Sequence, residues 1–351
     1  MKYKPNFEET KKYSKAFWQM EVIDRPLIAV TAPKDPKDLP QWVPYLTGAK
    51  DGDFLSGAKR YAAFAEKMYF AGEAVPAFEC SFGPDQYAAF FGGHITLAED
   101  GGTSWVHPFK DTLEGVKLEL DTKPGSYFNM LKRGMKACAD YAKGDFLINM
   151  IDLHGNIDAL SAMRGPQNLC MDLYDATDAV VEAQRQVVDT YPYVVGELAK
   201  AAQMDKYGYT GWAPTFSEER FAVLQCDFSC MPGPEFVRKY ILPELEREAS
   251  FLKNSVYHFD GKEALGHMDD ILAADWIKVI QWVPGSGAPR SLDWMDLLKK
   301  IQKAGKGLWL YDWSADEIKA RHKELKPEGL IFSCGVGTPQ EADALIKAVK
   351  L

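Results

Sequence analysis

The chain has 351 residues and six cysteines, at positions 80, 138, 170, 226, 230 and 334, but no CxxC pair. In a chain of this length that scatter reads as free thiols in a reducing cytoplasm, not as a disulfide framework. No run of about 18 apolar residues occurs, so no membrane span is expected. Residues 1–21 mix charges and aromatics without an apolar h-region, so no signal peptide is expected and the location is read as cytoplasmic. A basic stripe is also missing. The net charge is −9 and the pI about 5.3, which argues against a nucleic-acid footprint. No GxGxxG follows the first strand, so a dinucleotide site is disfavoured. There is no low-complexity linker.

What remains is 46% apolar residues, enough for a sizeable core, arranged as alternating strand and helix patterns. Helical spacing is read over 6–20, 54–70, 126–143, 156–170, 176–204, 234–252, 262–273, 291–304, 314–324 and 338–349. Strands are read at 75–79, 146–151, 208–212, 222–228, 255–259, 277–282, 307–311 and 329–332. A further short strand precedes them at 27–30, and 94–125 holds a β-hairpin excursion. Apolar, unalternating strands between helices mean a parallel sheet covered by helices. Eight strands from Val75 onward close a (β/α)8 TIM barrel, and an open doubly wound sheet is the alternative. The reading is a single domain, 1–351, with 1–73 as an N-terminal helical extension.

In such a barrel the active site lies at the C-terminal strand ends. Tyr257-His258-Phe259-Asp260-Gly261 stands at one, and alternation puts His258 and Asp260 on the same side. Ile331-Phe332-Ser333-Cys334-Gly335 is a second apolar strand ending in a soft ligand. His258, Asp260 and Cys334 are therefore the candidate metal ligands, a set that suits zinc with one position open. The competing reading makes His258 a hydrogen-bonded barrel residue, Asp260 a helix N-cap and Cys334 a small buried hydrophobe. Glu79, His154 and Asp227, also at strand ends, are the acid–base candidates, with ion pairs or structural hydrogen bonds as the alternative. Phe82, Trp212, Gln281 and Trp282 supply substrate-binding surface suited to a flat ligand, or else ordinary packing. His267 and His322 read as surface residues. Gly335-Val336-Gly337-Thr338 is a weak anion cradle at a helix start.

Several of these segments together resemble the uroporphyrinogen decarboxylase superfamily. They are Phe82-Gly83-Pro84, Arg164-Gly165-Pro166-Gln167-Asn168-Leu169 with Asp172-Leu173-Tyr174-Asp175, and Asp227-Phe228-Ser229 with Pro234-Glu235-Phe236 and Ile241-Leu242-Pro243. Tyr257 to Gly261, Ile280 to Gly285, and Cys334-Gly335 with Thr338-Pro339 complete the set. The resemblance runs over most of the chain from Pro26. It implies a (β/α)8 barrel, and the Arg-rich segment of the true decarboxylases is replaced by Val30-Thr31-Ala32-Pro33-Lys34. It is nearer to the cobalamin-dependent methyltransferases, whose zinc site has a His-x-Cys pair and a later Cys before glycine. His258 matches the His, Asp260 stands for the first Cys, and Cys334 matches the second. The resemblance thus implies zinc-assisted methyl transfer between a small methylated substrate, such as a methoxy compound, and a corrinoid on a separate partner protein. A homodimer is a further expectation. The alternatives are a metal-independent decarboxylase or lyase of a carboxylated substrate, and a non-catalytic ligand-binding barrel.

Overall fold

The computed structural model describes every residue except Asp100. Its strands are β1 (Leu27–Pro33), β2 (Met68–Gly72), β3 (Ala77–Phe78), β4 (Ile95–Leu97), β5 (Ser104–Val106), β6 (Leu147–Ile148), β7 (Phe221–Gln225), β8 (Asn254–Asp260), β9 (Val279–Val283), β10 (Gly307–Leu310) and β11 (Leu330–Gly335). Seven form one sheet in the order β2-β1-β11-β10-β9-β8-β7. Within it β1 and β7 to β11 run parallel, while β2 lies antiparallel on β1. β3 and β6 form a separate parallel pair, and β4 and β5 the expected hairpin.

The parallel α/β architecture is the expected one, but the eight-stranded ladder is not continuous. Among the described residues a single bridge, Met150 to Gly211, links the β6 side to the segment before β7, and no ladder joins β1 to β3. Two differences from the sequence reading follow. First, 27–33 is no part of an extension outside the sheet: β1 pairs with β11 from Leu27↔Ile331 to Thr31↔Gly335. Second, the helix expected over 54–70 stops at Lys67, and Met68–Gly72 becomes β2. Its consecutive apolar residues satisfy an edge strand better than one helical face. Residues 208–212 make only isolated bridges.

Helices cover the sheet through period-3.6 faces. Thr177–Ala201 buries Val180, Ala183, Val187, Tyr191, Val194 and Leu198, and each valine or leucine adds about 1.5–3 kcal/mol when taken from water. Caps set the boundaries: Ser126 and Thr338 accept backbone N–H groups at their helix starts, and Ser314 with Glu317 forms a capping box. The Arg164-Gly165-Pro166 segment is a built corner. Gly165 takes φ +87°, Pro166 starts the next helix, and Arg164 grips Asp172 at 2.7 Å. No described helix is long and apolar enough to cross a membrane.

Candidate functional site

The strand register decides which side chains share the interior face. Gln225↔His258, His258↔Gln281, Gln281↔Trp309 and Trp309↔Ile331 are successive partners, and paired residues in a parallel ladder point to the same side. The row is closed over by Trp212, whose ring stands edge-on to His258 at 5.2 Å and 5.5 Å from Trp309.

His258 and Asp260 lie on this face, and Asp227 joins them. β7 ends at Gln225, and Asp227 opens a short 3₁₀ turn, Asp227–Cys230. One ligand atom from each of Asp227, His258 and Asp260 lies within 4.8 Å of the others. His258 Nε2 is 4.0 Å from Asp227 Oδ1, and that oxygen is buried with no hydrogen-bond partner. On its other side His258 Nδ1 lies 2.6 Å from Gln281 Oε1. A carbonyl oxygen there requires Nδ1–H, which leaves the Nε2 lone pair directed at the carboxylates. Burial first, and Asp227 next among the groups that push the same way, raises the Asp260 carboxyl above its ordinary range. These three residues fit a divalent cation: one nitrogen and two carboxylates, one of them orphaned, with a position to spare.

Cys334 is not in this group. Trp309 Nε1 donates to Ser333 Oγ at 2.9 Å, and Ile331 and Ser333 occupy the interior face. Alternation then turns Cys334 to the helix side, beside Val30 in the ladder. Burial pushes its thiol up to about 11. Of the three ligands expected from the sequence, His258 and Asp260 lie together, Cys334 lies apart, and Asp227 takes the third place in the group that could hold a metal.

A second acidic group adjoins the first. His154 Nε2 lies 3.2 Å from Asp152 Oδ2. Burial lowers the His154 pKa, but Asp152, Asp227 and Asp158 outweigh it and raise it to about 10, so the ring stays protonated. Asp158 accepts the backbone N–H groups of Asp227 (3.0 Å) and Phe228 (2.8 Å). Burial and the Asp227 charge raise its pKa to about 6. His267 Nε2 lies 2.7 Å from the Ser229 carbonyl oxygen, so the turn carrying Asp227 is pinned from two sides. Glu79 is raised to about 8, by burial first and Asp152 second. The largest influences on Glu79, His154, Asp158 and Asp260 are burial and neighbouring acids, histidines and hydrogen-bond donors, with no lysine or arginine among them.

The expected binding surface divides. Trp212 and Gln281 are at the site, the latter against His258. Trp282 is paired with Phe259, on the opposite face from Gln281, and packs on Phe259 and Trp294. Phe82 is buried edge-on against Phe54 and Tyr127. Its Phe-Gly-Pro motif shapes the turn after β3: a Cβ on Gly83 (φ +103°) would sit 1.9 Å from Ser104 Oγ, which donates to the Phe82 carbonyl. His267 and His322 are buried, not on the surface. The anion cradle is closed, because the Gly337 N–H is taken by Glu341 at 2.8 Å. Asp158 and Asn149 were missed. An Asp in a first helical turn reads as a dipole partner, and no local pattern separates Asp158 from that role.

No protein-family model and no curated protein matches the chain. Among solved structures it is similar to a methyltransferase from Methanosarcina mazei, with a TM-score of 0.62 at 16% identity, covering 97% of this chain and 98% of that one. A B12-independent methionine synthase from Shewanella sp. W3-18-1, in complex with selenomethionine, gives a TM-score of 0.45 at 13% identity over 93% and 96%, too low to carry an argument. By fold, then, the chain is a parallel α/β protein of the kind that houses the first of these enzymes. The uroporphyrinogen decarboxylase resemblance implies a (β/α)8 barrel, of which the parallel α/β arrangement is seen here and the closure of the ladder is not.

Proposed function

We propose that the chain is a metal-assisted methyltransferase that moves a methyl group from an oxygen-bound donor to a corrinoid held by a separate protein. The observation that carries this reading is the convergence of Asp227, His258 and Asp260 around an orphaned carboxylate oxygen, with Gln281 setting the imidazole tautomer. A cation there, zinc in first place, supplies Lewis acidity to the donor oxygen. Two carboxylates and an imidazole are harder than a thiolate set and favour an oxygen donor over a thiol. The O–CH3 bond breaks, the methyl carbon is taken by the electron pair of the acceptor, and the bonding pair stays on the donor oxygen. Glu79, which holds its proton up to about pH 8, supplies the proton that this oxygen takes up. His154, protonated, offsets part of the negative charge of Asp152 and Asp227. Support from the fold is the likeness to a methyltransferase over nearly the whole chain. Decarboxylation of a polycarboxylate is disfavoured, since no lysine or arginine is among the largest influences on the site's acids to pair with several substrate carboxylates.

Elemental analysis and calorimetric zinc titration test the proposal. The expected result is one cation per chain, absent from His258→Gln and Asp227→Asn. Methyl transfer should stop on chelation and return with zinc. Protein that holds no cation and keeps its activity through chelation rules the reading out.

A further inference from the structure

A cavity of about 210 Å³ opens beside the metal-ligand group, between the loop after β1, the helix Phe54–Lys67 and the end of β3. Its walls are the rings of Trp42, Phe64, Phe78 and Trp212, and its polar groups include Glu79 and Asn149. Trp212 belongs to both places, since the same ring that lines the cavity stands against His258. Asn149 is only 8% exposed, and its Oδ1 has no hydrogen-bond partner; Trp212 Nε1 is likewise buried and unpaired. Asn149, Trp212 and Glu79 thus line one aromatic-walled cavity. Buried polar atoms are rarely left unsatisfied without a ligand or water to complete them.

Size and charge narrow the ligand. A cavity of about 150 Å³ is enough to hold benzene, so this one accommodates a single substituted ring and not a tetrapyrrole. No lysine or arginine lines it, so a ligand carboxylate would be buried without a counter-charge beside Glu79, at a steep cost. We propose that this cavity binds a single uncharged aromatic ring bearing an ether or hydroxyl oxygen, and that the methyl donor is therefore a monocyclic aryl methyl ether. The rings of Trp42 and Trp212 grip its faces or edges. Glu79 and Asn149 meet the ring's oxygen substituents, with Glu79 as donor. The proposal rests on the preceding section for its chemistry but not for binding, which needs no cation.

The experiment is calorimetric titration of the full-length, metal-free protein with 2-methoxyphenol, 4-methoxybenzoate and methanol. Binding of 2-methoxyphenol is expected, with 4-methoxybenzoate at least about ten-fold weaker because its charge must be desolvated. Trp42→Ala, at a residue 69% exposed and so harmless to the core, should weaken 2-methoxyphenol by about three- to ten-fold through the lost ring contact. Glu79→Gln, nearly isosteric, should weaken it too, while His258→Gln should not. Equal or tighter binding of the benzoate, or affinity indifferent to both Trp42→Ala and Glu79→Gln, overturns the proposal. If methanol is demethylated in a zinc-dependent way while 2-methoxyphenol does not bind, the substrate class is wrong and the metal reading survives. If 2-methoxyphenol binds as expected but no cation is held, the reverse is true.

Discussion

Glu73 and Glu79 lie six residues apart and serve opposite purposes. Glu73, just after β2, is gripped by Arg25 through two bonds of 2.7 and 2.8 Å and also accepts the Ile28 N–H at 3.0 Å. Arg25 stacks on Tyr13, and Lys4 reaches the Phe70 and Gly72 carbonyls nearby. Here buried charge is matched by charge and holds the antiparallel β2 edge to the N-terminal helix. Glu79, after β3, has no cation and sits among Asp152, Asn149 and Ser81. Glu73 is a buried carboxylate held by an arginine, whereas Glu79 is a buried carboxyl that, lacking such a partner, keeps its proton.

Four results would break or sharpen that contrast. Arg25→Met strands Glu73 as an uncompensated buried acid and should cost about 3–5 kcal/mol, read from the urea midpoint; a change under about 1 kcal/mol would mean the pair is not structural. Buried carboxyls without a cation instead make stability depend on pH. Glu79 and Glu248 are both raised to about 8, chiefly by burial. The folded state therefore holds more protons than the unfolded one between their ordinary range and pH 8, and stability falls as pH rises across that window. His154, raised to about 10, pushes the same way at higher pH. For metal-free protein, urea unfolding at pH 5.5 and 8.5 should differ by on the order of 1–3 kcal/mol per carboxyl. Glu248→Gln should remove about half of the carboxyl contribution, and a flat profile in the parent protein contradicts the assignment.

The third result concerns Gln281. Gln281→Leu should weaken zinc binding by about 10–100-fold with little change in fold, because it only releases the His258 tautomer. Unchanged affinity would remove Gln281 from the site. The smallest effect is expected from Cys334→Ser: the same cation stoichiometry and a stability change within about 1 kcal/mol. Loss of the metal in that variant would restore the thiol as a ligand and overturn the register argument.

That register explains what could be read from the chain and what could not. His258 and Asp260 were legible as a same-side pair because alternation within one strand is local. The helices from Tyr127 onward were legible from their apolar spacing, and β7 to β11 from their unalternating apolar runs. Cys334 was misplaced because its face depends on Trp309, Ile331 and Ser333, that is, on inter-strand pairing that no single segment encodes. Asp227 was located at a strand end, but its approach to His258 was not legible, since the turn that carries it is held by Asp158 and His267 from distant helical segments. The missing closure of the ladder was hidden for the same reason: β2 reads as the tail of a helix until β1 offers it an edge.

Because β2 occupies the edge of β1, the wall between β1 and β3 is a seam of side chains instead of a row of backbone bonds. Among the described residues no strand ladder joins the β3–β6 pair to the main sheet, and the Met150–Gly211 bridge ties it to the segment before β7. Widening the aromatic cavity by rocking this pair would disturb ring contacts but break no ladder along the β1 side. His258 and Gln281 thus stand on the continuous ladder, whereas Glu79 and Asn149 follow strands of the separate β3–β6 pair.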